Sequence, residues 1–565
     1  MSTSTLTLFA VVVMILDQTS LAEERPPAPK SAADALKTIK APGMTIELVA
    51  AEPLVVDPVA FDWGPDGRLW VVEMRDYPNG LGWKAAGDPR GVPGGRVKVL
   101  EDVDGDGRYD KATLFLDDIP FPTGIKVWRN GILVTAAPTI FYAEDIDNDG
   151  TADKQVILYQ GFGEGNQQHR VNGLRWGLDN WLYVGNGDSG GKIKSLKTGK
   201  VVNVNGRDLR IRPDENQIET QSGQTQFGRC RDDWGNWFGG NNSNPMWHYV
   251  LKDHYLRRNP HIASPNVKKQ VSVQPGAAPV YPASRTLARF NDLSRANRFT
   301  SACSPIIYRD ELISLPEGRR RMQSFVCEPV HNLVHREIVT PQGVTFTSRR
   351  LESEKESEFL ASTDNWFRPV MIRTGPDGAL WIADMYRYVI EHPKWIPKDW
   401  QRRLDIRAGD NMGRIYRVYP NDTKPRKTPK LNQLDTNELV KALDSPNGWQ
   451  RDMAQQMLIW RGDRSAVARL EALAAGADRP TARLHALCTL DGLKAIRPQV
   501  LIRSLKDNHA GVRRHAIRLS ESLVNDSGEL GDAIVGRFDD TDALVQMQLA
   551  YSLGSWKDER AGRGL

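Results

Sequence analysis

The stretch WGPDGRLWVVEM, residues 63–74, joins a Gly-Pro-Asp-Gly turn to a short apolar strand. The same unit returns as TGPDGALWIADMYR at residues 374–387, and as the variant WGLDNWLYVGNGD at residues 176–188. The turn residues favour chain reversal, and the Trp, Leu, Ile and Val side chains favour extended backbone. A turn-plus-strand unit repeated along the chain predicts a repeating all-β architecture.

Weaker copies of this unit lie between the strong ones. They are VWRNGILVTAA at 127–137, DDWGNWFGGNNSNP at 232–245 and FVCEPVHNLVHREIV at 325–339. Six units fall within the range of about four to eight blades that β-propellers contain. The sequence therefore predicts an all-β six-bladed propeller over residues 41–420.

The composition changes after residue 420. A charged, proline-interrupted linker over 421–433 is followed by Leu and Ala residues at helical spacing. Four similar segments begin at Leu439, Leu470, Leu501 and Ile534, which are 31, 31 and 33 residues apart. This period predicts stacked helix pairs that resemble HEAT repeats over residues 434–565, an all-α solenoid that serves as a docking surface for a protein partner.

Charge and motifs exclude several classes of protein. A net charge of +5 over 565 residues is too dilute to favour a nucleic-acid or membrane-surface partner. The sequence contains no HExxH or Walker A motif, and no helix pattern follows the GxGxxG spacing of Gly185, Gly187 and Gly190. Common metalloproteases, NTPases and dinucleotide-binding folds are therefore not favoured.

The N-terminus has the pattern of an export signal. The apolar run over residues 6–16 is too short to span a bilayer, and a small-residue site follows at Ser20-Leu21-Ala22. We expect a cleaved signal peptide over 1–22 and an N-terminal extension over 23–40. The mature protein is then periplasmic or secreted, with a mobile tail, or membrane association through an uncleaved anchor, as the alternatives.

The cysteines argue against a bound zinc or haem. Cys230, Cys303, Cys327 and Cys488 form neither CxxC nor CxxCH, so neither a zinc ribbon nor a covalent c-type haem is encoded. In an exported protein Cys303 and Cys327 could pair as a disulfide. Four free buried thiols are the alternative.

Two acidic loops are internal repeats. EDVDGDGRYDKAT at 101–113 and EDIDNDGTADKQV at 144–156 place carboxylates at the first, third, fifth and ninth positions around a glycine at the sixth. This is the ligand spacing of a calcium loop, although the twelfth position lacks the usual Glu. We predict weak calcium binding by Asp102, Asp104, Asp106, Asp110, Asp145, Asp147, Asp149 and Asp153. Solvated acidic turns are the alternative.

A histidine precedes the unit at 176–188. The order of His169, a turn, a strand and Gly187-Asp188 resembles the catalytic-histidine blade of soluble quinoprotein glucose dehydrogenases and aldose sugar dehydrogenases. The resemblance implies that His169 lies over pyrroloquinoline quinone on the propeller axis. A surface histidine held by hydrogen bonds is the alternative.

The chemistry implied by this resemblance assigns further roles. Oxidation of an alcohol by a quinone requires a base for the hydroxyl proton, and cations for the charge of the reduced quinone. His169 suits the first role, and we predict that arginines beside the repeated units fill the second: Arg229, Arg231, Arg368 and Arg387. Solvated charges or salt-bridge partners are the alternative for each arginine.

Three longer stretches carry a resemblance over nearly the whole chain. They are QFGRCRDDWGNWFGGNNSNP at 226–245, FVCEPVHNLVHR at 325–336 and WFRPVMIRTGPDGALWIADMYRYVIEHPKWIP at 366–397. They are similar to the planctomycete and verrucomicrobial family named for a membrane-bound dehydrogenase. That family combines an export signal, such a propeller, a HEAT-like stretch and often a terminal c-type haem domain. Since the haem motif is missing here, electrons would pass to a separate c-type cytochrome.

The sequence thus favours a quinone-dependent dehydrogenase of a sugar or other alcohol. Two alternatives remain open, a non-catalytic propeller and solenoid that binds carbohydrate or protein, and a calcium-dependent lactonase-like hydrolase. Fold alone does not decide among them. Convergence of His169 and several arginines on one central cavity would favour the enzyme.

Overall fold

The computed structural model describes residues 27–82, 91–261, 263–274, 276–286, 296–315 and 321–565. The predicted signal peptide over 1–22 lies outside the described residues. Within the described part of the chain, none of the helices combines the length and the hydrophobicity that a membrane crossing requires.

The chain begins with a short helix and two strands, α1 (Ala32–Leu36), β1 (Ile39–Lys40) and β2 (Met44–Ala51). Blade one contains β3 (Pro58–Trp63), β4 (Leu69–Glu73), β5 (Gly95–Glu101) and β6 (Lys111–Ile119). Blade two contains β7 (Gly124–Trp128), β8 (Gly131–Ala136), β9 (Thr139–Glu144) and β10 (Lys154–Phe162). Blade three begins with β11 (Asn172–Trp176) and β12 (Leu182–Gly185), and after the hairpin β13 (Gly191–Ser195) and β14 (Val201–Asn203) it ends with β15 (Asp208–Arg212) and β16 (Gln217–Gln221).

The remaining three blades follow in chain order. Blade four contains β17 (Cys230–Arg231), β18 (Trp237–Asn241), β19 (Asn244–Tyr249), the helix α2 (Asp253–Leu256) and β20 (Lys268–Gln270). Blade five contains β21 (Cys303–Ile307), β22 (Met322–Glu328), β23 (Leu333–Gln342), β24 (Thr345–Arg349) and β25 (Leu360–Ser362). Blade six contains β26 (Pro369–Thr374), β27 (Leu380–Asp384), the helix α3 (Lys398–Gln401) and β28 (Arg414–Pro420).

These strands form six antiparallel sheets, so the predicted six-bladed propeller is confirmed. β2 pairs with β28 and thereby supplies the outer strand of blade six, which closes the ring. β1 pairs with β25 of blade five, and the β13–β14 hairpin extends the outer edge of blade two. Part of the predicted N-terminal extension is therefore built into the propeller.

The two faces of the ring carry different connections. The innermost strands are β3, β7, β11, β17, β21 and β26. Among them β7 contacts β3 and β11, and β26 contacts β3 and β21, which also contacts β17. We call the face at which these six strands begin the upper face, and the face at which they end the lower face. Because strands alternate in direction, the turns between first and second strands lie at the lower face. The turns of the repeated units, at 64–67, 177–180 and 375–378, are of this kind.

Nine helices follow the propeller within the described residues, so the predicted helical C-terminal region is confirmed. They are α4 (Thr436–Ala442), α5 (Gly448–Arg461), α6 (Val467–Gly476), α7 (Pro480–Gly492), α8 (Pro498–Ser504), α9 (Ala510–Ser520), α10 (Gly528–Val535), α11 (Ala543–Leu553) and α12 (Glu559–Gly564). The longer helices α5, α7, α9 and α11 contact one another in sequence, and α4, α6, α8 and α10 form a second row. Assignment of these rows to HEAT repeats stays a prediction.

The lower face docks onto the longer helices. Asn447 Nδ2 donates to Gly375 O at 2.8 Å, and Asn180 Nδ2 donates to Cys488 O at 3.2 Å. The Trp234 ring stacks on His509 with ring centroids 3.9 Å apart. The repeated turns that predict the blades therefore also hold the helical region in place.

Buried ion pairs reinforce this junction. Asp452 of α5 accepts from Arg231 at 2.5 Å and from Arg309 at 2.6 Å. Asp233 accepts from Arg309 at 2.6 Å and from Arg451 of α5 at 2.5 Å. Arginines and aspartates of the propeller and of α5 thus alternate across the junction.

All four cysteines are free and buried. Cys303 of β21 and Cys327 of β22 are nevertheless direct cross-strand partners. The structure therefore agrees with the alternative of four free thiols. It nevertheless places the two cysteines of the expected disulfide on neighbouring strands.

Blade five contains a buried histidine whose charge should affect stability. His335 Nδ1 lies 2.8 Å from Glu358 Oε2, and its Nε2 lies 3.6 Å from Glu337 Oε1. Burial alone would lower the pKa of His335, but the two carboxylates outweigh it and raise the pKa to about 9. A raised pKa stabilises the fold fully below the unfolded value of about 6.5, and this stabilisation is lost as pH rises through the folded value.

We therefore expect the thermal midpoint to fall as pH rises from about 7 to about 9.5, because His335 loses its proton beside two carboxylates. His335→Gln should flatten this part of the profile. Thermal unfolding of both proteins across the pH range measures the difference. Parallel profiles would show that His335 does not control the alkaline loss.

Candidate functional site

A cavity of about 450 Å³ opens on the propeller axis at the upper face. Each blade contributes to its wall, from blade one to blade six through Val59, Ile125, Leu174, Phe227, Val330 and Met371. Small-molecule sites have volumes of roughly 300–1,000 Å³ and mostly apolar walls with few polar groups. We call this space the axial cavity.

His169 lines the axial cavity. It ends a short 3₁₀ helix, Gln167–His169, in the loop between β10 and β11. The Asn166 side chain caps this helix by accepting from Gln168 N at 3.0 Å. The His169 ring meets Phe227 edge-to-face with centroids 5.7 Å apart. The loop thus holds the imidazole at the rim of the innermost strands.

The segment after β12 packs closely against the loop that holds His169. Gly187 has φ +73°, and a Cβ there would lie 2.0 Å from Arg170 O and 2.7 Å from His169 O. Ser189 Oγ donates to His169 O at 2.5 Å. The Asn186 side chain accepts from Asp188 N at 2.6 Å and closes the turn. The Gly-Asn-Gly-Asp stretch therefore lets two loops approach closely enough to fix His169.

Gln226 is the polar partner of the His169 ring. Its Oε1 accepts from Asn242 N at 2.8 Å, so its amide nitrogen faces the imidazole, 2.6 Å from Nε2 and 3.0 Å from Nδ1. An amide nitrogen only donates, so one imidazole nitrogen is the acceptor. Burial lowers the pKa of His169, so the ring is neutral at pH 7.

The four predicted arginines do not line the axial cavity. Each is buried and has its own partner. The partners are Asp208 for Arg229 at 2.8 Å, Asp452 for Arg231 at 2.5 Å, Pro329 O for Arg368 at 2.9 Å and Asp57 for Arg387 at 2.6 Å. The structure does not bring them together with His169, and their role toward a cofactor stays a prediction.

Two other arginines border the axial cavity, Arg170 and Arg175. Arg170 lies over the Phe121 ring at 4.9 Å and donates to Glu164 O at 2.9 Å. Its Nε is buried and has no hydrogen-bond partner among the described residues. Both arginines belong to HRVNGLRW at 169–176, so the run that leads into β11 and forms it was the signal that could have identified them.

The acidic loops lie at turns between third and fourth strands, away from the axial cavity. Carboxylate oxygens of Asp102, Asp104 and Asp106 lie within 4.8 Å of one another, and those of Asp145, Asp147 and Asp149 do the same. Asp110 and Asp153 instead accept from Val103 N at 3.0 Å and Ile146 N at 2.7 Å. Three of the four predicted ligands thus converge in each loop, and calcium stays a prediction.

If these loops bind calcium, an excess of chelator should lower the thermal midpoint of metal-loaded protein, since a ligand bound only by the folded state stabilises it by mass action. The double variant Asp104→Asn with Asp147→Asn should lose this response. Thermal unfolding with and without chelator measures it. An unchanged midpoint in the wild type would identify both loops as plain acidic turns.

Solved structures whose fold is similar to that of this chain include enzymes of different kinds. The pyranose dehydrogenase PQQ domain of Coprinopsis cinerea is 11% identical, with 70% of this chain and 98% of that chain covered and a TM-score of 0.37. PQQ-bound aldose sugar dehydrogenase of Streptomyces coelicolor is 13% identical over 67% and 100%, with a TM-score of 0.36. Virginiamycin B lyase of Staphylococcus aureus is 11% identical over 66% and 99%, with a TM-score of 0.31.

Sequence comparison gives a narrower result. No curated protein matches the chain significantly. A family model described as a domain of unknown function, DUF7133, matches residues 30–422. The match covers the propeller from the segment before α1 to the end of β28, which is more than half of the chain. The chain therefore belongs to the DUF7133 family.

Proposed function

We propose that this protein oxidises an alcohol in the axial cavity with a quinone-type cofactor, and that His169 is the base. The observation that carries the proposal is a neutral imidazole on the wall of a cavity of about 450 Å³ where all six blades meet. A neutral histidine is the form that accepts a proton. Pyrroloquinoline quinone is the candidate cofactor because of the sequence resemblance around His169.

The residues of the cavity fit a flat, negatively charged cofactor. Tyr77 and Phe227 offer aromatic surface, and Arg170 and Arg175 offer positive charge. Gln167 Oε1 and Arg170 Nε are buried polar atoms without partners among the described residues. Buried polar atoms in this state favour a polar guest. When bound, a quinone supplies the acceptor for the hydride that leaves the alcohol carbon.

His169 and Gln226 have different roles toward the hydroxyl group of the substrate, as base and as positioning residue. As the hydride leaves carbon, the hydroxyl proton passes to His169 and a carbonyl product remains. The nitrogen that accepts this proton is now within hydrogen-bond distance of the Gln226 amide. The substrate hydroxyl must therefore replace Gln226 at that nitrogen, and Gln226 then acts as a positioning residue.

The apolar wall of the axial cavity also indicates the polarity of the substrate. Met74, Val59, Val370, Met385 and Ile390 add to an apolar surface. Each hydroxyl of a free sugar would need a hydrogen-bond partner on that surface to offset its loss of water. We propose an alcohol with an apolar body in preference to an unmodified sugar.

One observation favours the non-catalytic alternative. A histidine that merely supports a ligand-binding loop would also have its acceptor nitrogen satisfied, as Gln226 does here. The hydrolase alternative has less support, since the acidic clusters of the described residues lie in the two surface loops. Binding without turnover therefore remains the second candidate function.

The test is reconstitution of the full chain with pyrroloquinoline quinone and calcium. We expect saturable quinone binding, and reduction of a dye or a c-type cytochrome with apolar alcohols in preference to sugars. Quinone binding without turnover would support the second candidate. Absence of both would overturn the dehydrogenase. Cell fractionation would test the proposed export to the periplasm or medium.

A further inference from the structure

A second, smaller cavity lies below the axial cavity. It has a volume of about 90 Å³ and shares Leu174 and Arg175 with the space above. Helix α5 closes its lower end with Trp449 and Met453. We call this space the lower chamber. It is larger than the about 10–15 Å³ that one water molecule requires.

Positive side chains dominate the wall of the lower chamber. Its lining includes Lys126, Arg175, Arg231, Arg309 and Arg373. Three carboxylates, one of them the lining residue Asp452, bond four of these cations, and each carboxylate is shared between two positive side chains. Asp62 accepts from Lys126 at 2.9 Å and from Arg373 at 2.8 Å, while Asp452 serves Arg231 and Arg309. Asp233 is shared between Arg309 and Arg451.

Arg175 has no such partner. Among the described residues its side chain forms one hydrogen bond, from Nη1 to Leu174 O at 3.0 Å, and no ion pair. Burial, together with the neighbouring Arg373, lowers the pKa of Arg175 to about 9. Arg175 is half-buried, and a guanidinium partly withdrawn from water without a counter-ion is unfavourable. The space beside Arg175 therefore favours an anion.

A buried neutral donor in the lower chamber also lacks a hydrogen-bond acceptor. Trp449 lines the lower chamber and is 7% exposed, yet its Nε1–H has no hydrogen-bond partner among the described residues. An unmade hydrogen bond of a buried donor is costly. A cation without an ion pair and an indole N–H without a partner thus line the same chamber, and one acceptor could satisfy both.

We propose that the lower chamber binds one small inorganic oxyanion, phosphate or sulfate, between Arg175, Arg373 and the indole N–H of Trp449. A guanidinium presents its N–H groups in the geometry that such oxygens match. The anion would neutralise part of the excess charge and connect β11 and β26 to α5. The site shares Arg175 with the axial cavity, so its test is carried out without quinone.

Equilibrium dialysis of the full chain against labelled phosphate, without quinone, tests the proposal. The protein is first dialysed extensively, and any phosphate or sulfate released on denaturation is measured by ion chromatography. We expect about one anion per chain, counting bound and released together, and a higher thermal midpoint with phosphate. Sulfate should compete with phosphate.

Two variants locate the binding. Arg175→Gln should abolish phosphate binding, and Trp449→Phe, which keeps the ring but removes the N–H, should weaken it about tenfold, the effect of one hydrogen bond. Arg68→Gln is the control, because Arg68 is exposed and paired with Asp66. No anion in the wild type would overturn the proposal. Equal binding by Trp449→Phe and wild type would overturn it even if Arg175→Gln does not fold.

Discussion

Replacement of His169 by glutamine is expected to lower turnover by about 10²- to 10⁴-fold, the usual contribution of one positioned acid–base group. Glutamine can keep a hydrogen bond to Gln226 and packing against Phe227, but it cannot take the hydroxyl proton. The fold and the affinity for quinone should therefore change little. Steady-state rates, thermal midpoints and quinone binding measured on the same preparations separate these effects.

The pH profile and a matched variant complete this test. Burial lowers the pKa of His169, so the base form persists below pH 6.5 and kcat/KM should fall only at more acidic pH. His392→Gln is the control, because His392 caps a short helix by accepting from Lys394 N at 3.1 Å and does not line the axial cavity. A folded His169→Gln protein with full activity would show that His169 only supports its loop.

Replacement of Asp452 by alanine is expected to lower the free energy of unfolding by about 3–5 kcal/mol, the cost of breaking a buried ion pair from one side. Asp452 accepts from Arg231 at 2.5 Å and from Arg309 at 2.6 Å. Without it, two arginines at the junction of propeller and α5 lose a carboxylate that both of them share. Denaturant unfolding followed by circular dichroism measures the loss.

Asp532→Ala is the matched control for this experiment. Asp532 also pairs with an arginine of the helical region, Arg560 at 2.6 Å, but its side chain is 74% exposed. Water solvates both charges when an exposed pair is broken, so the unfolding midpoint should stay nearly unchanged. If both variants behaved alike, the charges at the junction would not stabilise it.

Local chemistry explains why the blade number could be predicted. Each repeated unit contains its own turn residues and strand formers, so Gly-Pro-Asp-Gly at 64–67 identifies a blade without knowledge of any contact. The unit at 325–339 differs, because it spans the second and third strands of blade five rather than the first and second. Ring closure could not be predicted, since β2 pairs with a strand at the far end of the propeller.

The site could be predicted only in part for the same reason. His169 precedes a recognisable unit, whereas Gln226 reaches it from another blade through a contact that no local pattern shows. The arginines beside the repeated units were chosen for their proximity to turns, but each one binds a partner of its own instead of lining the axial cavity, and no local pattern shows those partners. Arg170 precedes β11 at the upper face, and Arg175 lies further along that strand, where it borders both the axial cavity and the lower chamber.

Closure of the ring by β2 affects how the nascent chain folds during synthesis. β2 emerges from the ribosome roughly 360 residues before its partner β28, and at about 5–20 residues per second this delay lasts about 20–70 s. During that time an eight-residue strand has an unpaired edge. We expect aggregation and chaperone capture to be concentrated in this interval, and a chain interrupted before residue 414 to remain an open arc with β2 unpaired.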